Sequence, residues 1–393
     1  MPVHVLRFHS GYRCRHAGVC CKSGWTIPVE APLYRTLQSA IAWGHLRLET
    51  DSHAPELFEP AEGLPHGEPA VLRRKTDGSC VFFEPQRGNL CAIQRQMGHD
   101  RLPSACRHFP RVVVLDPRGT FITLSHVCPT AARMLIAGGP ADVVTDAIGF
   151  DEHTLWEGLD ARDALPPLLR PGVLWDWEAW DFWERAIPGR LAASRSPEQA
   201  LIALEASVRS IAGWRPGGES LLDVVGSALD AQPSHSVTAL ESLQLLELDR
   251  LVRDAVPADL RRHLNDDPLS SAQLDMPGWD AWQAVVGRYL AARAFAGWVG
   301  YHGSGLLTWY KSILAAYAVL RAACARAALA ASPGGAVAPA LDEADRGAEA
   351  AHPQQPLDER MMVEALGNAD RLLIHMAPAA DLAAALDEWE LRR

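Results

Sequence analysis

Cysteine is the residue type whose distribution in this chain points most directly to chemistry. Seven of the eight cysteines lie within the first 128 of 393 residues, and nine of the 15 histidines fall in the same third. Thiolate and imidazole bind zinc and iron–sulfur clusters. In a reducing compartment such clustering favours metal ligation over disulfides. The predicted ligands are Cys14, Cys20, Cys21, Cys80, Cys91, Cys106 and Cys128.

The spacing of these cysteines leaves the type of metal centre open. Cys20 and Cys21 are adjacent, and Cys128 precedes Pro129, a step common where an iron–sulfur ligand leaves its loop. Successive cysteines are separated by 5, 0, 58, 10, 14 and 21 residues, without the paired CxxC knuckles of zinc fingers. Four thiolates suffice for one [4Fe–4S] cluster, whereas seven cysteines with His16 suffice for two four-ligand sites.

Basic residues next to the cysteines suggest support for a negatively charged cofactor. A cluster held by four thiolates carries net negative charge, which neighbouring cations offset. Arg107 and Arg111 both follow Cys106 in CRHFPR and are predicted to be cofactor-binding residues. Cys324 lies in an Ala-rich helical stretch and is predicted to be a packing residue only.

The region that must position the cysteines has mixed secondary structure. Alternating segments with turns at 77–78 and 87–89 predict one hairpin, and RVVVLDPRGTFITLSHVC predicts a second that turns at 116–119. From Pro129 onward the pattern changes to Leu/Ala-rich helical spacing. Helices are predicted over 129–137, 151–164, 173–188, 197–213, 219–230, 236–254, 257–264, 279–331 and 357–390.

The predicted fold class is therefore α+β, a small cysteine-rich metal-binding domain with short hairpins followed by a mostly α-helical region. The predicted parts are a cysteine-cluster domain over 1–135, a helical domain over 136–331, a linker over 332–356, and a C-terminal helical hairpin over 357–393 that docks on the helical domain. The linker is rich in Ala, Pro, Gly and acidic residues. Within the helical domain, a tryptophan-rich run over 175–183 is predicted to pack in the core.

The charge of the chain is negative and uneven. The formal net charge of −11 argues against nucleic-acid binding. Residues 1–130 carry 15 basic and 11 acidic side chains, and the remaining 263 residues carry 22 and 37. The acidic helical part therefore suits a basic or lysine-bearing protein partner.

The sequence predicts a cytoplasmic protein without a membrane span. The most apolar stretch, 306–331, is interrupted by Lys311, Arg321 and Arg326, whereas a span needs ~20 nearly uncharged residues. The first 14 residues lack the apolar core and cleavage site of a signal peptide.

Several stretches of residues 8–135, about a third of the chain, resemble a known family. Phe8, CRHAGVCC and SGWTIPVEAPLY look like the opening of bacterial cysteine-cluster proteins described as zinc- or iron-chelating. DGSCVFFEPQRGNLCAIQRQMG, LPSACRHFPR and GTFITLSHVCPTAARML resemble its later blocks. The tryptophan after the double cysteine, the TLSHVCP ending and the long helical region resemble the flagellin lysine N-methylase branch.

The resemblance implies a cysteine-bound metal centre, with an iron–sulfur cluster preferred in the methylase branch. It also implies S-adenosylmethionine as methyl donor and lysines of a protein, flagellin, as acceptors. Family members usually carry one more cysteine between the first and the double one, where this chain has Arg15-His16-Ala17. Either His16 replaces that ligand or the seven cysteines complete the centre without it.

Three functions stay open at this point. The first is an enzyme that methylates protein lysines. The second is a non-enzymatic protein that stores, delivers or senses iron or zinc. The third is a structural zinc domain that organises a helical interaction scaffold. The sequence contains neither a CxxxCxxC radical-type loop nor a glycine-rich cofactor strand, so no motif locates a methyl-donor site.

Overall fold

The computed structural model describes residues 1–48, 57–60, 69–150, 154–231, 240–261, 264, 267–332 and 355–390. Its strands are β1 (Val3–Leu6), β2 (Pro28–Val29), β3 (Phe58–Pro60), β4 (Ala70–Leu72), β5 (Phe83–Glu84), β6 (Leu90–Cys91), β7 (Arg111–Asp116), β8 (Gly119–Leu124), β9 (Val143–Thr145), β10 (Leu159–Asp160), β11 (Leu168–Arg170) and β12 (Val173–Leu174). Its helices are α1 (Val19–Lys22), α2 (Ala31–Ala42), α3 (Ala92–Met97), α4 (Ser104–His108), α5 (Pro129–Ala137), α6 (Trp177–Ala193), α7 (Pro197–Ala212), α8 (Leu221–Asp230), α9 (Ser242–Asp254), α10 (Ala258–Arg261), α11 (Gln283–Ala294), α12 (Val299–His302), α13 (Leu306–Ala330), α14 (Glu359–Asp370) and α15 (Ala379–Glu388). A π-helical turn, Arg371–Met376, joins α14 to α15.

The main sheet has the strand order β10-β7-β8-β1-β9. β7 and β8 form the hairpin predicted over 111–128, with Val114 opposite Phe121 and the turn at 116–119, so this prediction is confirmed. β1 pairs with β8 in parallel and with β9 in antiparallel orientation. Residues 3–6 therefore lie inside the sheet, a placement that no local pattern predicts.

The cysteine-bearing segments lie on smaller strand pairs. β2, β4 and β3 form one sheet, and β5 pairs with β6 so that Phe83 lies opposite Cys91. Arg74 and Cys80 face each other in an isolated bridge around the predicted turn at 77–78. These strands and helices α2 and α3 bury a separate apolar cluster that includes Ile27, Leu37, Leu57, Phe82 and Ile93.

Beyond β12, most of the described residues lie in helices, and several of these helices pack against α13. Of the described residues, α13 is the helix long and apolar enough to cross a membrane, but 72% of its most apolar stretch is buried inside the protein, as in a core helix. Trp175, Trp180 and Trp183 are at most 3% exposed, which confirms the predicted core role of the tryptophan run. Helices and small sheets coexist, so the α+β class is confirmed.

The helix predicted over 151–164 is wrong for the part of it that the structure describes. Leu159–Asp160 forms β10 and pairs in parallel with β7, and Ala161 donates a backbone hydrogen bond to Leu115. Sheet pairing at the free edge of β7 thus overrides local helical spacing. Most of the predicted linker, residues 333–354, lies outside the described residues.

The sheet and the helices share one core across residue 135. The largest apolar cluster joins Phe8, Val114 and Phe121 to Trp180 and Phe295. The β7–β8 turn is held by a buried ion network in which Arg118 contacts Asp116 at 2.5 Å and Glu184 at 2.7 Å. Trp298 donates its indole N–H to the Val113 carbonyl at 3.0 Å, which fastens the helical region to β7.

Candidate metal centre

Five of the seven predicted ligands converge beside the smaller apolar cluster. Cys80 belongs to this cluster, and Cys21, Cys91 and Cys106 pack against it. Cys20 contacts Cys21. The five thiols come from α1, from the isolated bridge that contains Cys80, from β6 and from α4. The five are Cys20, Cys21, Cys80, Cys91 and Cys106.

These thiols are close enough that ionising one raises the pKa of another. Burial raises the pKa of Cys106 well above its ordinary value, and charge on Cys80, Cys91 or Cys20 raises it further. Burial likewise raises the pKa of Cys91 to about 12. A hydrogen bond from the Cys21 thiol, with 4.0 Å between the Sγ atoms, lowers the pKa of Cys20 to about 7. The hydrogen-bonded pair Cys20–Cys21 therefore favours a thiolate stabilised by a neighbouring thiol.

Hydrogen bonds link the segments that carry Cys21 and Cys80. The Cys80 N–H donates to the Cys21 carbonyl at 2.7 Å, which joins α1 to the bridge residue Cys80. The Arg74 guanidinium donates to the carbonyls of Cys21, at 3.1 Å, and Trp25. Burial raises the pKa values of Cys80 and Cys106, and the positive charge of Arg74 offsets part of this rise. Arg74 is thus the cation nearest to this group by its contacts, and sequence analysis did not select it.

Cys14 and Cys128 form a second group with Tyr12 and Arg111. The Tyr12 hydroxyl lies 3.5 Å from Cys128 Sγ. Burial lowers the pKa of Arg111, and negative charge on Cys14 or Cys128 opposes this effect. The Arg111 guanidinium carbon lies 5.3–5.4 Å from the ring centroids of Tyr12, Phe150 and Trp156. Charge on Cys20 also raises the pKa of Cys14, so the two groups adjoin.

The described side-chain contacts of Arg107 and His16 are with groups other than the five thiols. Arg107 donates to the Leu102 carbonyl at 3.5 Å and pairs with Glu157 at 3.6 Å. His16 has a positive φ of 53°, and its N–H donates to Cys14 Sγ at 3.4 Å. Cys324 is fully buried in α13 and belongs to the large core, as predicted for a packing residue.

A buried chain of side chains links the C-terminal helices to this region. Asp370 accepts hydrogen bonds from the backbone N–H of His126 at 2.6 Å and from the Tyr289 hydroxyl at 3.0 Å, and its carboxylate lies 2.8 Å from His126 Nδ1. His375, in the π-helical turn, lies 2.8 Å from the Ser125 hydroxyl and stacks on Trp25 at 4.7 Å. Sequence spacing gives no signal for these contacts, which join residues 81 to 350 positions apart.

The donor set fits a thiolate-bound metal group in its chemistry. In the described ranges, no group of three or more His, Cys, Asp or Glu side chains is arranged to hold a single metal ion. Cys20, Cys21, Cys80, Cys91 and Cys106 nevertheless lie within electrostatic range of one another, with the Arg74 guanidinium in the same range. A bound metal deprotonates coordinating thiols. Comparison of the chain with protein-family models, curated proteins and solved structures finds no match.

Proposed function

We propose that this chain is a cysteine-ligated iron–sulfur protein that transfers methyl groups from S-adenosylmethionine to protein lysines. The observation that carries the proposal is the convergence of five thiols from four separate elements. A cysteine that serves only packing has no reason to meet four others, whereas metal centres require this convergence. In this proposal, residues 1–135 contribute the cysteine-rich metal-binding part of the fold.

The spacing that its ligands require favours an iron–sulfur cluster over a single ion. Each thiolate of a [4Fe–4S] cluster binds a different iron, so its sulfurs lie farther apart than those around one zinc ion. Cys80, Cys91 and Cys20 lie within electrostatic range of Cys106, which suits the wider arrangement. Four of the five thiols would hold the cluster, with Arg74 offsetting its charge, and the bound cluster would supply one-electron chemistry.

A zinc protein without enzymatic activity is the second candidate. The Sγ atoms of Cys20 and Cys21 are 4.0 Å apart. Ligands of a tetrahedral zinc ion with Zn–S bonds of ~2.3 Å lie ~3.8 Å apart. This pair alone therefore matches the spacing of a zinc site.

The acidic helical region supports a basic protein as the methyl acceptor. Residues 131–393 carry 37 acidic and 22 basic side chains, which attract a lysine-bearing surface. Flagellin is the acceptor that the resemblance implies. The proposed compartment is the cytoplasm, where thiols stay reduced.

The test is metal content in protein purified without oxygen. We expect a brown protein with iron and acid-labile sulfide, and we expect Cys21→Ser and Cys106→Ser to lose most of both. Cys324→Ser is the matched control, since it removes a buried thiol outside the five and should keep the full metal load. His16→Ala should also keep it, because His16 contacts Cys14 and none of the five thiols among the described contacts.

Other outcomes separate the alternatives. A colourless protein with stoichiometric zinc would establish the second candidate instead. Iron without transfer of labelled methyl groups from S-adenosylmethionine to lysines of a basic protein would leave a metal protein and contradict the enzyme. Loss of metal in His16→Ala would make His16 a ligand.

A further inference from the structure

A cavity of about 290 Å³ lies where the π-helical turn meets β7 and the helical core. Most of its lining side chains are apolar, among them Phe295, Trp298, Ile313, Leu373 and Leu382. An apolar cavity of ~150 Å³ holds a single benzene ring. The space in this protein therefore suits a molecule of about two fused rings.

Two backbone irregularities meet in the wall of this cavity. Residues 373–376 belong to the π-helical turn, a conformation frequent at functional sites. Ala296 has a φ of 54°, a conformation costly for a residue with a side chain, and its N–H donates to buried Glu184 at 3.2 Å. The wall thus includes both a strained position and an expanded helical turn.

The charged and hydroxyl groups of the wall already have partners. Arg293 lies 3.9 Å from the carboxylate of buried Asp370. The Ser312 hydroxyl donates to the Trp309 carbonyl at 2.6 Å. An ionic ligand would therefore enter a mainly apolar space without a free counter-charge, which is unfavourable. The wall suits an uncharged ligand.

His375 offers this ligand one hydrogen-bond donor. The Ser125 hydroxyl is fully buried, and its side-chain partner among the described contacts is His375 Nε2, at 2.8 Å. A buried hydroxyl hydrogen needs an acceptor, so Nε2 accepts it and the neutral ring carries its own hydrogen on Nδ1. Burial lowers the pKa of His375 to about 4, which keeps the ring neutral at pH 7.

The imidazole that carries this donor is held in place. Its ring centroid lies 4.7 Å from that of Trp25 and 6.3 Å from that of Phe109, and Ser125 holds its other nitrogen. His375 lines the cavity, and no hydrogen bond of its Nδ1 occurs among the described contacts. A donor fixed in advance binds an acceptor with little loss of side-chain entropy.

The same wall contains a fixed aromatic surface. The Trp298 indole N–H donates to the Val113 carbonyl at 3.0 Å, which sets the orientation of its ring. Flat rings pack favourably on such a surface in offset or edge-to-face arrangements. The lining therefore specifies a flat apolar body with one acceptor atom.

We propose that this cavity binds an uncharged, flat and largely apolar molecule of about two fused rings, whose single acceptor oxygen takes the hydrogen on His375 Nδ1. The site is separate from the five thiols, and its ligand chemistry is set by the cavity wall alone. It adds a small-molecule site to the proposed metal protein.

The test is equilibrium dialysis of the full chain, purified without oxygen, against three related probes at pH 7. 1-Indanone has two fused rings and one carbonyl oxygen, indane lacks the oxygen, and indane-1-carboxylate replaces it with a negative charge. We expect 1-indanone and indane to bind and indane-1-carboxylate to bind at least tenfold more weakly than 1-indanone.

Two variants locate the site and the hydrogen bond. His375→Phe keeps a ring but removes the donor, so it should weaken 1-indanone about two- to tenfold, the value of one hydrogen bond, and change indane less than twofold. Ala379→Phe places a ring in the cavity wall and should weaken both probes at least tenfold. His45→Phe, which replaces an exposed histidine outside the wall, is the matched control and should change neither.

The contrary outcomes are distinct. Absence of binding of both neutral probes to the unaltered protein, or unchanged affinity in Ala379→Phe, would overturn the cavity assignment. Equal weakening of 1-indanone and indane by His375→Phe would overturn the role of the donor, and tighter binding of indane-1-carboxylate would overturn the uncharged class. If His375→Phe lacks a cooperative urea transition, Ala379→Phe and the comparison of the three probes decide.

Discussion

At the scale of single residues, burial sets the protonation state of the groups that could do chemistry. It raises the pKa values of Cys80, Cys91 and Cys106 and lowers that of His375 to about 4. Without a bound cation most of these groups are therefore neutral at pH 7. The free energy of unfolding therefore changes at pH values where these buried groups become charged.

His375 gives a testable pH dependence. Its pKa of about 4 in the folded protein lies below the ordinary value of 6.5, because burial outweighs the opposing charge of Asp370 and is reinforced by Arg293 and Arg371. The unfolded chain takes up the proton first, so stability falls as pH drops from about 6.5 to 4. We expect His375→Gln to remove about 2 kcal/mol of this fall between pH 7 and pH 4, measured by urea unfolding.

The control for this prediction is His16→Gln, which alters a histidine outside the buried network. It should leave the dependence of unfolding free energy on pH as in the unaltered protein. An unchanged dependence in His375→Gln would show that His375 titrates alike in the folded and unfolded chain.

Sequence predicted the members of the candidate site better than their grouping. Clustering of cysteine in one third of the chain marked all seven side chains, and five of them converge. Their division into two groups depends on strand pairing and loop closure, and the separations between cysteines along the chain do not determine either. Arg74 shows the same limit, since it reaches Cys21 and Cys80 through a bridge across a turn.

At the scale of elements, short and irregular segments carry the cysteines. α1, with Cys20 and Cys21, has four residues and follows Gly18, whose φ is 72°. A Cβ on Gly18 would lie 2.8 Å from Phe83 Cε2. The approach of α1 to β5 therefore requires glycine at this position.

Gly18→Ala tests this close approach. We expect a loss of about 2–3 kcal/mol in unfolding free energy, from the left-handed backbone and the clash together. Gly24→Ala, with a φ of 78° but no atom within 4 Å, should cost about 1 kcal/mol. Gly11→Ala, which lacks both features, should be near neutral. Equal effects of the first two in urea unfolding would remove the steric part of the argument.

The junction between α14 and the sheet depends on Asp370. We expect Asp370→Asn to lower the unfolding free energy by about 3 kcal/mol, because the amide presents a donor where His126 and Tyr289 also donate. Glu364→Gln on the same helix alters an exposed carboxylate and should change it by less than about 0.5 kcal/mol. Similar thermal unfolding midpoints of the two variants would contradict a structural role for the buried network.

Element prediction succeeded where local pattern and tertiary context agree. The β7–β8 hairpin has β-branched arms and a strong turn, and the tryptophan run has a buried face, so both were predictable. The segment 154–164 lacks such agreement, and the free edge of β7 takes Leu159–Asp160 as a strand. Contacts beyond the local window decide segments of this kind.

At the scale of the whole molecule, one core extends across the predicted boundary at residue 135. β9 and β10 complete the main sheet, and Phe8 and Phe121 pack with helical residues such as Trp180 and Phe295. The acidic helical region and the main sheet are therefore joined by buried apolar contacts as well as by the chain.

This continuity predicts that residues 1–135 do not fold stably alone. The fragment would leave Phe8, Phe121 and Leu135 without the partners that bury them and would lack both outer strands of the main sheet. We expect weak near-ultraviolet circular dichroism and no cooperative urea transition, with the full chain as control. A cooperative transition in the fragment would establish the predicted domain boundary.

The order of synthesis gives the position of β1 a consequence in time. The last of the five converging thiols, Cys106, leaves the ribosome before β8 and β9 exist to enclose β1, and 264 residues before Asp370. At ~5–20 residues per second, that interval lasts on the order of ten to fifty seconds. At its start the five thiols are all present while the helical region is still to be made. The nascent chain can therefore meet metals or oxidants before the core that spans the sheet and the helices is complete.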